Sequence, residues 1–173
     1  MNSNRFLTQV LYFVLLLGLQ VLLFRNRVVF DYAFCFLYVG AVLGLPRDFN
    51  PLGTLLTAFG TGLLVDWFYD TLGVHAAATV LLAYLRPIVL RVLTPSGGYE
   101  SNMEMSVAEM GWRWFSLYIL PLILVHHLML FTVEAFDRNL LSLILVKTLC
   151  STAFTYVVLM LLQFAIRPPV RNA

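Results

Sequence analysis

Polar residues are so sparse along this chain that they act as punctuation between long apolar runs. The first run, 6–24, stops at Arg25-Asn26-Arg27. The second, 28–45, carries Asp31 near its start and ends at Pro46-Arg47-Asp48, with Pro51 closing the turn. The third, 52–69, ends in two acids, Asp66 and Asp70, and Leu72-Gly73 reverses the chain. The fourth, 74–93, contains Pro87, which predicts a kink or a frayed end. A Thr-Pro-Ser-Gly-Gly breaker cluster opens the longest loop, 94–111. The last two runs are 112–135 and 140–166, the latter followed by Arg167-Pro168-Pro169. A helix needs about 20 apolar residues to cross the hydrocarbon core, and these runs match that length. The pattern predicts an all-α membrane protein, a bundle of six transmembrane helices in one domain spanning 1–173. The second helix is the weakest of the six, being short and carrying Asp31.

The loop 94–111 has its own signals. Ser101-Asn-Met-Glu104 reads as a capping box, in which side chains and backbone N–H groups pair reciprocally at a helix start. It predicts a short surface helix offering Met103, Met105, Val107 and Met110 to lipid, with Trp112 and Trp114 at headgroup level. The first apolar run is longer than a signal-peptide core and lacks a small-x-small cleavage site, so it reads as a retained span.

Composition agrees: 61% of residues are hydrophobic and 12% charged, where soluble domains run near half and a quarter. The net charge of +2, with no basic run, argues against nucleic acid. Cys35 and Cys150 stand in apolar runs without metal or redox spacing and read as core or lipid-facing residues. Six spans place both termini on one side. That side carries Arg5, Arg47, Arg86, Arg91, Arg113, Arg167 and Arg171, and the other Arg25, Arg27 and Arg138. The positive-inside rule then makes both termini cytoplasmic.

Ionisable residues within spans are costly and are the default candidates for function. Here they are Asp66, Asp70, His75, His126, His127, Glu134 and Lys147. Asp66 and Asp70, four apart, would share a helix face, where two carboxylates can share a proton or bind a cation. At a helix end they read more simply as solvated acids. His75 begins the next helix, so a clasp between Asp66 or Asp70 and His75 or a nearby arginine is expected, with Gly62 on the Asp66 face admitting a neighbour. Glu134 and Lys147 would lie near one depth if their helices are antiparallel.

Catalytic readings fare poorly. Gly60-Thr-Gly62 is followed by Asp66 rather than an immediate acid, unlike the Gly-x-Gly-Asp of aspartyl intramembrane proteases, and Tyr69-Asp70 is weak alone. Ser116 and His126 would lie about 15 Å apart along one helix. Adjacent His126 and His127 diverge by about 100° on a helix, a poor metal pair. The sequence reads as non-enzymatic, with no cofactor and no metal. Gly40-x-x-x-Gly44 and Ala58-x-x-x-Gly62 are small-residue faces for close helix packing, within the bundle more than toward a partner.

Three stretches carry a family resemblance: Ala58-Phe-Gly-Thr-Gly-Leu-Leu-Val-Asp66, then Asp70-Thr-Leu-Gly73-Val-His75-Ala-Ala-Ala, then Ala83-Tyr-Leu-Arg86-Pro87. Together with Leu45-Pro-Arg47 and the chain length, they resemble MreD, the rod shape-determining membrane protein of bacteria, in its Bacteroidetes-type form. The resemblance implies a scaffold of the cell-elongation machinery in the inner membrane that supports peptidoglycan synthesis. It also implies an MreC-like single-span partner in a larger assembly with RodA, its transpeptidase and the MreB filament. Gly62, Asp66 and Gly73 are the motif positions carried over. MreD is similar in fold to the substrate-binding S-components of energy-coupling-factor vitamin importers, which makes a small-molecule-binding subunit the alternative. Those subunits dock through an Ala-x-x-x-Ala face on the first helix, and 6–24 contains no alanine.

Overall fold

The structure, a computed structural model, describes residues 3–25, 28–100, 103–135 and 140–166. The expected capping box at Ser101 and the Arg167-Pro168-Pro169 cap fall outside them. Among the described residues, five helices are long and apolar enough to cross a membrane, which makes this a multi-pass membrane protein. They are α1 (Ser3–Leu19, extended by a π-helical turn Gln20–Phe24), α3 (Pro51–Tyr69), α4 (Val74–Val92), α6 (Trp112–Ala135) and α7 (Leu141–Ile166). The short helices α2 (Val39–Leu43) and α5 (Val107–Met110) complete the set.

Their ends follow from local chemistry. The Asn50 side chain accepts the amides of Leu52 (2.9 Å) and Gly53 (3.4 Å), and Pro51 sits where its missing N–H is harmless. At the far end Asp70 turns left-handed (φ 55°) and its N–H returns to the Asp66 carbonyl. Gly73 (φ 82°) then launches α4, a conformation open to glycine at no steric penalty. The outer face of α3 shows Leu52, Leu56, Phe59, Leu63 and Trp67, an apolar stripe facing away from the bundle. Pro87 does not end α4, which runs on to Val92.

The second run is not a transmembrane helix. Val28–Val29 (β1) and Ala33–Phe34 (β2) form a small antiparallel hairpin, pairing Val28 with Phe34 and Val29 with Ala33. Phe30 (φ 52°) and Asp31 (φ 62°) make its turn, closed by Tyr32 N–H to Val29 O at 3.3 Å. The chain then continues extended to Phe36 before the single buried turn of α2. Extended backbone at this depth survives only if every amide finds a protein partner. Two side chains of α7 and one of α1 supply them. Phe34 N–H donates to Ser151 Oγ and Phe36 N–H to Thr155 Oγ1, both at 3.0 Å. Gln20 accepts from Leu37 N–H (2.6 Å) and donates to Cys35 O (3.1 Å), reproducing with its amide the donor–acceptor pair of a neighbouring strand. Thr155→Val is therefore expected to orphan the Phe36 amide and lower stability by about 1–3 kcal/mol. Amide exchange should accelerate at Phe36 and not along α7; unchanged exchange would show that Thr155 is dispensable.

The return segment runs antiparallel to α1. Its start lies by Gln20, and its end lies by Gln9, whose Nε2 donates to Gly44 O at 3.2 Å. Gly40 and Gly44 are both buried inside the bundle: a Cβ at Gly40 would meet Leu159 at 2.6 Å, and one at Gly44 would meet Tyr12 at 3.3 Å. The α2 glycines therefore serve internal packing. The loop 94–111 corrects a second expectation. Met105 and Val107 are buried rather than offered to lipid, and α5 is capped by Ser106, whose Oγ accepts from Glu109 N–H at 3.4 Å. Gln163 of α7 ties this loop to α1, accepting from Val107 N–H (3.4 Å) and donating to Tyr12 Oη (3.0 Å). The starting part of α1 and the closing part of α7 thus lie at one end of the bundle.

Candidate functional site

Four of the sequence candidates, Gly62, Asp66, Gly73 and His75, meet at the opposite end, in the joint between α3 and α4. Helix α3 buries Thr54, Ala58, Thr61, Gly62, Val65 and Asp66, one continuous face. Helix α4 answers with His75, Ala76, Ala78, Thr79, Leu82 and Ala83, mostly small. Small residues on both sides let the backbones touch. At Gly62 they do: a Cβ built there would lie 2.3 Å from Ala76 Cα and 2.6 Å from its nitrogen.

That approach brings Asp66, one turn on, to the start of α4. The carboxylate is 3% exposed and accepts four hydrogen bonds. His75 N–H donates to Oδ1 and Ala76 N–H to Oδ2, each at 3.0 Å. Thr71 Oγ1 (2.5 Å) and His75 Nδ1 (3.1 Å) complete the set on Oδ1. Asp66 is thus an N-cap delivered from a different helix: it pairs two otherwise orphaned amides and sets an anion at the positive end of α4. Because a carboxylate only accepts, its bond with His75 places the proton on Nδ1. The His75 ring is walled by Phe36, Tyr38 and Tyr69, with centroids 5.7, 5.9 and 5.1 Å away. Its Nε2 has no hydrogen-bond partner.

Asp70 does not share this site. The helix ends at Tyr69, so the four-residue spacing no longer places both acids on one face. Its side chain is 88% exposed and sits 3.6 Å from Arg25, a surface pair worth about 0–1 kcal/mol. The shared-proton and two-carboxylate cation readings lose their geometry, while solvation describes Asp70 and not Asp66.

No family model, curated protein or solved structure matches this chain.

The remaining candidates lie elsewhere. Buried Arg86, at the other end of α4, donates from Nε to Tyr118 Oη (2.8 Å) and from Nη2 to the carbonyls of Leu45 and Pro46 (3.4 Å to the latter). Tyr118 Oη in turn donates to Leu43 O at 2.8 Å. The pair satisfies carbonyls released where α2 ends. Pro87, the next residue, is exposed within the same helix. Glu134 and Lys147 do not pair with each other; the Lys147 ammonium lies over Phe34 (5.4 Å) and Phe131 (5.7 Å) instead.

Sequence reasoning set His126 and His127 aside as a poor metal pair and did not see their surroundings. Both are fully buried, with rings 83° apart. His126 Nε2 meets Tyr38 Oη at 2.8 Å, and its Nδ1 is unpartnered. His127 Nδ1 donates to Ile123 O at 2.7 Å, which leaves Nε2 as the acceptor facing Thr155 at 3.4 Å. Among the described residues no group of three metal-ligating side chains converges. Gln20 was also missed. Its Nε2 donates to Tyr69 Oη at 2.6 Å as well as to Cys35 O, joining α1, the return segment and α3. The available signal was a glutamine deep in an apolar stretch, 10–24.

Proposed function

We propose that this chain is a non-enzymatic membrane scaffold similar to MreD, which binds an MreC-like single-span partner and supports peptidoglycan synthesis during cell elongation. One observation carries the reading. Four of the residues behind the resemblance, Gly62, Asp66, Gly73 and His75, converge on a single joint, and all four hydrogen bonds of Asp66 are spent inside it. A motif committed to holding two spans in fixed register suits a protein whose output is shape presented to partners.

Six membrane crossings belong to this proposal: the five long helices and the return segment that runs back along α1. The end of the bundle holding the early part of α1 and the late part of α7 also gathers Arg47, Arg86, Arg91 and Arg113. This supports cytoplasmic termini in a bacterial inner membrane. The alternative, an S-component-like small-molecule subunit of a vitamin importer, is favoured by a cavity between α3 and α4. It is disfavoured by the absence of alanine from 6–24.

Depletion in the native host tests the scaffold. The expected result is rounded cells with the MreC-like protein dispersed from its sites of elongation. Unchanged cell shape and partner localisation would overturn the assignment.

A further inference from the structure

The helices that touch at Gly62 enclose, between their other halves, a cavity of about 530 Å³. That volume falls in the range of about 300–1,000 Å³ typical of small-ligand sites. Its polar lining is unbalanced: Arg47, Arg86 and Arg91 against the single carboxylate of Asp48. Arg86 is the unusual member, a guanidinium 3% exposed with no carboxylate partner among the described residues. Its bonds to Tyr118, Leu45 and Pro46 use Nε and Nη2 and leave Nη1 uncommitted. Arg91 forms no ion pair, and Arg47 holds Asp48 only at 3.5 Å while lying over the Tyr99 ring at 4.9 Å.

Two other polar side chains in the wall are already engaged. Thr54 donates to Asn50 O, and Thr94 to Leu90 O and Arg91 O. The first free amides of α3, Leu52 and Gly53, are taken by Asn50. Recognition of an anion falls chiefly to the guanidinium groups, whose planar fork of N–H donors matches phosphate oxygens. The rest of the wall is mostly apolar, through Phe49, Leu55 and Pro87, joined by Tyr84, which is exposed on the outside of the bundle and adds a phenolic hydroxyl.

We infer that this cavity binds an anionic phosphate ester, with Arg86 holding the phosphate from within, Arg47 and Arg91 closing around it, and its apolar portion lying along Leu55 and Tyr84. Two sources share this chemistry: the headgroup of an anionic membrane lipid and a soluble phosphate ester. The site is separate from the Asp66 joint, in which none of its arginines takes part.

The test uses the full chain purified in neutral detergent, titrated separately with phosphatidylglycerol, phosphatidylcholine and glycerol 3-phosphate, and read by native mass spectrometry and thermal unfolding. Saturable binding of phosphatidylglycerol at least fivefold tighter than phosphatidylcholine is expected. Arg47→Gln and Arg91→Gln should each weaken it at least fivefold. Arg113→Gln removes one charge from the same end but outside the cavity, and should change it less than twofold. Arg91 makes no side-chain bond or ion pair among the described residues, so its variant stays informative if Arg47→Gln unfolds. Glycerol 3-phosphate binding as tightly as the lipid, with the same arginine dependence, would support the site and identify a soluble ligand. Equal binding of the two lipids without glycerol 3-phosphate binding, or equal effects of Arg91→Gln and Arg113→Gln, would overturn the proposal.

Discussion

Gly62→Ala is expected to destabilise the protein by about 3 kcal/mol or more, since overpacking is compounded by lost hydrogen bonds. The added methyl would meet Ala76 Cα, Ala76 N and the His75 carbonyl carbon at 2.3, 2.6 and 2.9 Å. These are backbone atoms, so no rotamer change relieves the contact, and α3 and α4 must separate. Separation pulls Asp66 from the amides of His75 and Ala76, which links a steric fault to an electrostatic one. Gly60→Ala is the matched control. It lies in the same helix, nothing stands within 4 Å of its would-be Cβ, and alanine is the better helix former. It should leave stability unchanged or raise it by up to about 1 kcal/mol. Denaturant unfolding in mixed micelles distinguishes them, and similar behaviour of the two variants would remove the close crossing from the account.

The second large effect is expected at Asp66 itself. Asp66→Leu keeps the branching of the side chain, with bulkier methyls for oxygens, and leaves two α4 amides and the Thr71 hydroxyl without their acceptor. At about 1–3 kcal/mol for each buried orphan, the loss should be about 3 kcal/mol or more. Asp66→Asn retains one acceptor oxygen and turns an NH₂ toward one of the donors. Its loss should be smaller, about 1–2 kcal/mol. Amide exchange at His75 and Ala76 should rise in the same order. Wild-type stability in both variants would reduce the joint to packing alone. Loss of cell-shape function with undiminished folding would shift Asp66 toward a signalling or ligand role.

The long helices were legible because length and apolarity are one-dimensional properties. Runs such as 112–135 and 52–69 need no knowledge of their neighbours, and breakers mark their ends. The run 28–45 is equally apolar and was misread for the same reason: hydropathy does not distinguish a span from a buried strand. Its real signal was alternation. Phe30, Tyr32, Phe34, Phe36 and Tyr38 place an aromatic at every second position, a strand period rather than a helical one. The complementary signal lay on α7, where Ser151 and Thr155, four apart, present hydroxyls on one helix face within an apolar run. Pairing those hydroxyls with the amides of Phe34 and Phe36 requires the fold.

The site was legible in the same partial way. Spacing put Gly62 and Asp66 on one face, and chain order brought His75 near, because both statements are local. The four-residue spacing of Asp66 and Asp70 misled, since it assumes a helix that continues through both. The left-handed turn at Asp70 separates them. The surroundings of His126 were invisible because Tyr38 reaches it from a segment expected to be helical.

The most direct test of the scaffold account is capture of the tagged protein from native membranes in mild detergent, with bound proteins and small molecules both quantified by mass spectrometry. The account predicts a single-span protein with a periplasmic domain, the MreC-like partner, in near-stoichiometric amount. Recovery of a bound vitamin together with transporter ATPase subunits, and no such partner, would contradict it.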